Sequence, residues 1–238
     1  MLPQVWVSDQ YVPPSYPLVS CLMPTAARRE FIPRALRCFA AQTYPNLELL
    51  VVDNGAVPIL ELLPADPRIR YVGVFPERRI YHGQLMNVAC EHAQGEFCIV
   101  WDDDDFYAPD RVFRQIAPLL VKYVETITVG TGLKNVVYYD KAAQKAWRYA
   151  DPSGTWLGAI AFRKSAWEAK RFAELPHGAD LQFQRDNSGK FIPVHGDAIA
   201  CAIHATNAGS VGTKIAAAPK YFTPIDYQEV AAFTGGDL

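Results

Sequence analysis

The chain lacks the features that would suit it to a membrane, an oxidising compartment or a polyanion. No apolar run approaches the roughly 20 residues that a spanning helix needs. The N-terminal "MLPQVWVSDQYVPPSYP" has neither a basic start nor a long apolar stretch, so it does not read as a secretory leader. The five cysteines, Cys21, Cys38, Cys90, Cys98 and Cys201, are odd in number and widely spaced, with no C-x-x-C pair. They form neither a zinc pattern nor a disulfide framework. The expectation is a cytoplasmic protein with structural thiols. A formal net charge of −2 over 238 residues gives no global attraction to nucleic acid. Internal repeats and long linkers are also missing, which favours one domain with two lobes.

What is present is alternation. "LVSCLMP" reads as a buried strand, and "REFIPRALRCFAAQT" carries apolar residues at helical spacing. "LELLVVDNG" is a second strand, residues 58–63 a short helix, and "RIRYVGV" a third strand. "YHGQLMNVACEHAQG" is helical, "EFCIVW" is a fourth strand, and "PDRVFRQIAPLLVKY" is a further helix with Pro109 and Asp110 at its start. Repeated strand–helix alternation predicts an α/β fold with a mostly parallel, doubly wound sheet. In such sheets ligands bind beyond the carboxyl ends of the strands. "PTAAR", "DNG" and "DDDD" all stand at those ends and are expected to converge on one rim.

The second half reads differently. "TITVGTGLKNVVYYD" and "KAWRY" predict a smaller antiparallel ribbon, and "GTWLGAIAFRKSAWEAKRF" a strand running into a helix. "HGADLQFQRD" is a short helix, and "FIPVH" and "AIACAIH" are strands. The expected organisation is a lead-in at 1–17, one domain at 18–210 (halves 18–125 and 126–210) and a surface-wrapping tail at 211–238.

Several rim residues carry chemistry. Asp102 and Asp104 straddle one residue at a strand end, so their carboxylates share a face. Two such groups suit Mg2+ or Mn2+, and a divalent ion offsets their repulsion. The plainer reading is an acidic loop in which Asp105 or Asp110 caps the next helix. Asp53 fits either a nucleobase N–H or an Asx turn with Asn54 and Gly55. Asp180 fits a helix N-cap or a base. His204 ends an apolar run, where a lone histidine is commonly structural. Trp156 flanks a ligand or fills the core.

The order and spacing of these blocks resemble glycosyltransferase family 2, the inverting nucleotide-sugar transferases of GT-A fold. "MPTAARREFIPRAL" is similar to the family's "PTYNR" loop, and "GQLMNVACEHAQGEFCIVWDDDDFYAPDR" to its Gly, Arg-Asn and D-x-D block. "GAIAFRKSAWE…ELPHGADLQFQRD" looks like the acceptor-side block, and "AIHATNAGS" like a C-terminal histidine segment. The resemblance implies a donor site of Pro24, Thr25, Ala26, Arg28, Asp53, Arg79, Gly83, Asn87, Asp102, Asp103 and Trp156. It implies Asp102, Asp104 and His204 as Mn2+ or Mg2+ ligands and Asp180 as the catalytic base. Asp103 would face the ribose, and Asp105 would stabilise the turn into the next helix. Ala26, Ala27 and Met86 depart from the family's aromatic, Asn and Arg, and leave Arg78 or Arg79 for the phosphates.

The implied reaction is transfer from a nucleotide-diphosphate sugar, UDP-linked first, to a hydroxyl on a glycan or glycan precursor. A hydroxylated base in DNA is an alternative acceptor. A nucleotidyltransferase would need a Gly-rich phosphate loop after the first strand, which "PTAARR" lacks. The remaining alternative is a nucleotide- or ion-binding module without catalysis.

Overall fold

The computed structural model describes residues 16–75, 80–121, 128–150, 156–175, 178–203, 215 and 219–234. Strand β1 (Val19–Thr25) is buried along its whole length and serves two cores. Val19, Cys21 and Met23 face the cluster containing Ile32, Ala35 and Phe39 of helix α1 (Ile32–Ala40). Leu22 faces the opposite cluster, with Leu85, Met86 and Ala89 of α2 (His82–His92). This is the two-residue period of a strand covered on both sides. Strands β2 (Leu47–Asp53), β3 (Ile69–Gly73) and β4 (Phe97–Val100) complete a parallel half, with β1 between β2 and β4.

Beyond β4 the chain leaves this sheet. A short strand β5 (Asp105–Tyr107) precedes helix α3 (Arg111–Ile116), which tightens into a 3-10 turn at Ala117–Leu120. Pro118 explains the change, because it removes a helical donor. Then follow β6 (Gly130–Leu133), β7 (Asn135–Asp140), β8 (Lys145–Ala150), β9 (Trp156–Arg163) and α4 (Lys164–Ala169). Helix α5 (Ala179–Asp186), β10 (Phe191–Val194), β11 (Ile199–Ala202) and β12 (Phe222–Ile225) come next, before a last helix at Tyr227–Phe233. The large sheet has the order β10-β6-β9-β4-β1-β2-β3, and β9 runs antiparallel to both β4 and β6. The small sheet has the order β12-β8-β7-β11-β5.

Three expectations change. The ribbon read from "TITVGTGLKNVVYYD" is two strands in two sheets: β6 joins the large sheet and β7 the small one. Asp105 is not a helix-turn residue; it starts β5, pairs in register with Cys201 of β11 and is buried. The described part of the tail does more than wrap the surface: β12 pairs with β8, and Val230 is buried in the small-sheet cluster. At the end of the lead-in, Tyr16 meets Tyr44 edge-on at 5.4 Å.

Candidate active site

The parallel register sets the rim. Thr25, the last residue of β1, stands beside Asp53, the last of β2. After β4, the Trp101 amide donates to the Leu22 carbonyl at 2.9 Å, and the chain then bends through Asp102, Asp103 and Asp104. The Thr25 hydroxyl donates to Asp103 Oδ2 at 2.5 Å. Gly55 packs against the β1 loop so tightly that a β-carbon would lie 2.8 Å from the Ala27 amide nitrogen. The three predicted polar segments therefore do meet. Ala27 takes a φ of 53° in the loop, in the left-handed region that costs an alanine roughly 1–2 kcal/mol.

Arginines organise the acidic run. Arg28 forms ion pairs with Asp103 Oδ1 and with Asp104 Oδ2, the second at 2.6 Å. Arg34 donates to the Asp104 carbonyl at 2.5 Å, and its guanidinium lies 4.5 Å from the Phe106 ring centre and 5.3 Å from that of Phe31. Arg111 is fully buried beneath the loop. It donates to the Val100 carbonyl at 2.6 Å and to Gln115 at 3.0 Å, and it lies 4.2 Å from the Tyr107 ring centre.

These cations do not offset all the acid. Burial, reinforced by Asp104 and Asp103, pushes the Asp102 carboxyl up to about 8. Burial raises Asp103 to about 6, against the pull of Arg28 and of the Thr25 hydrogen bond. Asp105 is raised well above the carboxylate range by burial and by Asp104 and Asp102. Crowded carboxylates that resist ionisation suit a hard divalent cation, which removes the repulsion that raises them. Among the described residues no three His, Cys, Asp or Glu side chains are grouped to hold a metal ion. Asp102 and Asp104 present carboxylates of the kind that bind such an ion. His204 lies outside the described residues.

The other predicted residues divide. Asp180 is the second residue of α5, whose N-cap is Gly178 with φ 75°, so Asp180 is not the cap. It is half-buried, and its charge acts on both Asp102 and His82, which brings it from far along the chain to the acidic loop. Ala26 is exposed at the rim. Pro24 is buried within β1. Asp53 is fully buried: Oδ1 accepts from the Gly55 amide, and Oδ2 from the Ile59 amide and the Tyr71 hydroxyl. It anchors the loop after β2, the turn reading, and faces no open pocket.

Asn87 also departs from its predicted donor role. Its Oδ1 accepts from Trp167 Nε1 and the Phe172 amide, and its Nδ2 donates to the Phe172 carbonyl. It bolts α2 to α4 and to the segment after it. Gly83 is a packing glycine, since a β-carbon would fall 2.1 Å from the Ala173 carbonyl oxygen. Met86 is buried in the core. Arg78 and Arg79 lie outside the described residues; of Trp156 only the backbone is described, in β9 opposite Leu133.

Sequence reasoning missed Arg34, Arg111 and His82. The first two had a signal: each stands within three to five residues of an aromatic that its guanidinium covers. His82 had none, because only the fold brings it to Asp180.

The profile described as "Glycosyl transferase family 2" matches residues 20–192. The chain belongs to glycosyltransferase family 2. It is 34% identical over 103 residues to WcaA of Escherichia coli K12, named as a colanic acid biosynthesis glycosyl transferase. That stretch covers 40% of this chain and 36% of WcaA. It is 30% identical over 105 residues to TuaG of Bacillus subtilis 168, named for teichuronic acid biosynthesis, covering 42% of this chain and 41% of TuaG. The aligned stretch spans less than half the length of these relatives. Among solved structures, Staphylococcus aureus TarS superposes with a TM-score of 0.59 at 17% identity, over 84% of this chain and 39% of TarS. The mannosyltransferase PcManGT of Pyrobaculum calidifontis, in complex with GDP-Man and Mn2+, also gives 0.59, at 16% identity, over 83% of this chain and 60% of its own. Glucosyl-3-phosphoglycerate synthase of Mycobacterium tuberculosis, with Mn2+, UDP and phosphoglyceric acid, gives 0.55 at 17% identity over 84% and 76%. The fold of this family 2 chain is GT-A. Among its described residues no helix is long and apolar enough to cross a membrane.

Proposed function

We propose that this family 2 chain is a metal-dependent, inverting glycosyltransferase that moves a sugar from a UDP-sugar to a hydroxyl on a glycan or glycan precursor. The observation that carries the reading is the gathering of Thr25, Arg28 and the acidic loop at the carboxyl rim of the parallel strands, with Asp180 in the first turn of α5 near enough for its charge to act on Asp102. A displacement needs leaving-group stabilisation on one side of the sugar carbon and a base on the other. The rim offers both.

Arg28 and the exposed face of the β1 loop receive the donor's phosphates; Asp103, fully buried and held by Thr25 and Arg28, positions Arg28 instead of facing the ribose as expected. Asp102 and Asp104 hold Mn2+ or Mg2+, with His204 as a further ligand. A bound divalent ion supplies Lewis-acid neutralisation of the charge that develops on the diphosphate. Asp180 accepts the proton of the acceptor hydroxyl as its oxygen bonds to the anomeric carbon. The bond from that carbon to the diphosphate oxygen breaks with its electron pair, and one displacement inverts the centre. General-base catalysis of this kind contributes roughly 10²–10⁴-fold.

Thermal-shift measurements with UDP, GDP, UDP-glucose, UDP-galactose and UDP-N-acetylglucosamine, with and without Mn2+, test the donor and metal assignments, since a ligand of the folded state raises its stability. The expected result is a Mn2+-dependent shift with uridine nucleotides. Asp180→Asn is expected to keep that shift and lose donor turnover. Full turnover by Asp180→Asn would remove the base assignment, and no nucleotide shift under any condition would remove the donor reading.

A further inference from the structure

His82 is a titratable side chain at the rim to which the reaction above gives no task. It is the first residue of α2 and is exposed. The next residue, Gly83, meets α5 at bare backbone: a β-carbon there would lie 2.1 Å from the Ala173 carbonyl oxygen and 2.8 Å from the Ala179 β-carbon. His82 stands immediately before that contact, and Asp180 immediately follows Ala179. The first turns of two helices, distant in sequence, thus bring these two residues close together at the rim.

Two charges act on His82, and they mark the ends of the reacting assembly. Asp180 is one and Arg28 the other. Arg28 is ion-paired to Asp103 and Asp104, on the diphosphate side, while Asp180 is on the acceptor side. A transferred sugar has to lie between them, and His82 stands within the field of both. The crowding of protein around the ring first, and then Arg28, hold its imidazole below the ordinary histidine range, against the opposing pull of Asp180. A neutral imidazole has one N–H donor and one acceptor nitrogen, which complements a hydroxyl better than a phosphate.

We propose that His82 hydrogen-bonds a hydroxyl of the transferred sugar and so helps select which sugar is accepted. The inference rests on the donor reading above. It makes His82 a specificity-determining residue, distinct from the base and from the groups that hold the nucleotide.

The test uses His82→Ala and His82→Gln with UDP, UDP-glucose, UDP-galactose and UDP-N-acetylglucosamine in the presence of Mn2+. For His82→Ala the thermal shift with UDP is expected to stay as in the wild type. Its kcat/KM for the preferred UDP-sugar is expected to fall roughly ten-fold or more, with the preference among the three sugars compressed. His82→Gln, which keeps a donor and an acceptor, is expected to recover part of both, and it carries the test if the alanine variant does not fold. Turnover and sugar ranking within about two-fold of wild type would overturn the proposal. So would loss of the UDP shift in both variants, which would place His82 with the nucleotide. A wild-type protein with no nucleotide shift would remove the donor reading first, and this inference with it.

Discussion

Thr25 donates its hydroxyl to Asp103 across 78 positions of sequence, at 2.5 Å, with both residues buried. The bond joins the end of β1 to the loop that leaves β4, so it fixes the floor of the site and not only one carboxylate. Thr25→Val keeps the shape and removes the donor. A buried acceptor left without its partner costs about 1–3 kcal/mol. Urea denaturation is expected to show a lower midpoint at unchanged slope, while Thr25→Ser stays near wild type.

Asp102→Asn is expected to act in two directions. The folded state holds the Asp102 proton up to about 8, against an ordinary value of 3.8, so ionising it costs stability as pH rises through that window. Each tenfold change in proton affinity between the folded and unfolded chain corresponds to about 1.4 kcal/mol, and the interactions within the acidic run spread this cost over several groups. Without metal, the variant is expected to be the more stable protein at pH 8, with a smaller difference at pH 5. The Mn2+-dependent nucleotide shift is expected to disappear. Thermal melts at the two pH values, with chelator and with Mn2+, measure both effects.

The opposite sign applies at the other end of the sheet. Glu48 is buried, which works against its ionisation, yet hydrogen bonds from Ser20, Arg70 and the Gln94 amide hold its carboxyl below the usual 4.5. Its contribution is therefore complete above about pH 4.5 and is lost as pH falls below that value. Glu48→Gln is expected to cost about 1–3 kcal/mol at pH 7 and to flatten the acid limb of a stability–pH curve. An acid limb as steep as in wild type would show that other carboxylates govern it.

Gly83→Ala places a methyl 2.1 Å from the Ala173 carbonyl oxygen, and backbone on both sides must move. Overpacking of this kind costs about 1–3 kcal/mol. The first turns of α2 and α5 separate as a result, so donor turnover is expected to fall while the UDP thermal shift persists. Differential scanning calorimetry together with a turnover assay separates the two effects.

The parallel half of the sheet was legible because β1, β2 and β4 are continuous apolar runs ending in polar turns, and α1 carries a clear apolar stripe. The place of the acidic loop followed from that alternation. Residue roles set by distant partners were not legible. Asn87 looks like a ligand-facing polar residue until Trp167 and Phe172, some 80 positions away, consume its amide. Gly83 looks like a donor-loop glycine until Ala173 arrives beside it. Asp53 admitted two readings, and the Tyr71 hydroxyl together with the Gly55 and Ile59 amides decided for the turn. Local pattern carries period and punctuation. It does not say which buried donors will meet which acceptors.

Asp105 both ends the acidic run and begins the strand that pairs with β11, which in turn pairs with β7. The rim is thus one of the tethers by which the small sheet hangs on the large one, beside the direct passage from β6 to β7. A ligand that stiffens the loop shortens that tether, and its arrival should be felt beyond the site as slower amide exchange in the β7–β8 hairpin. That hairpin would then serve as a remote gauge of occupancy.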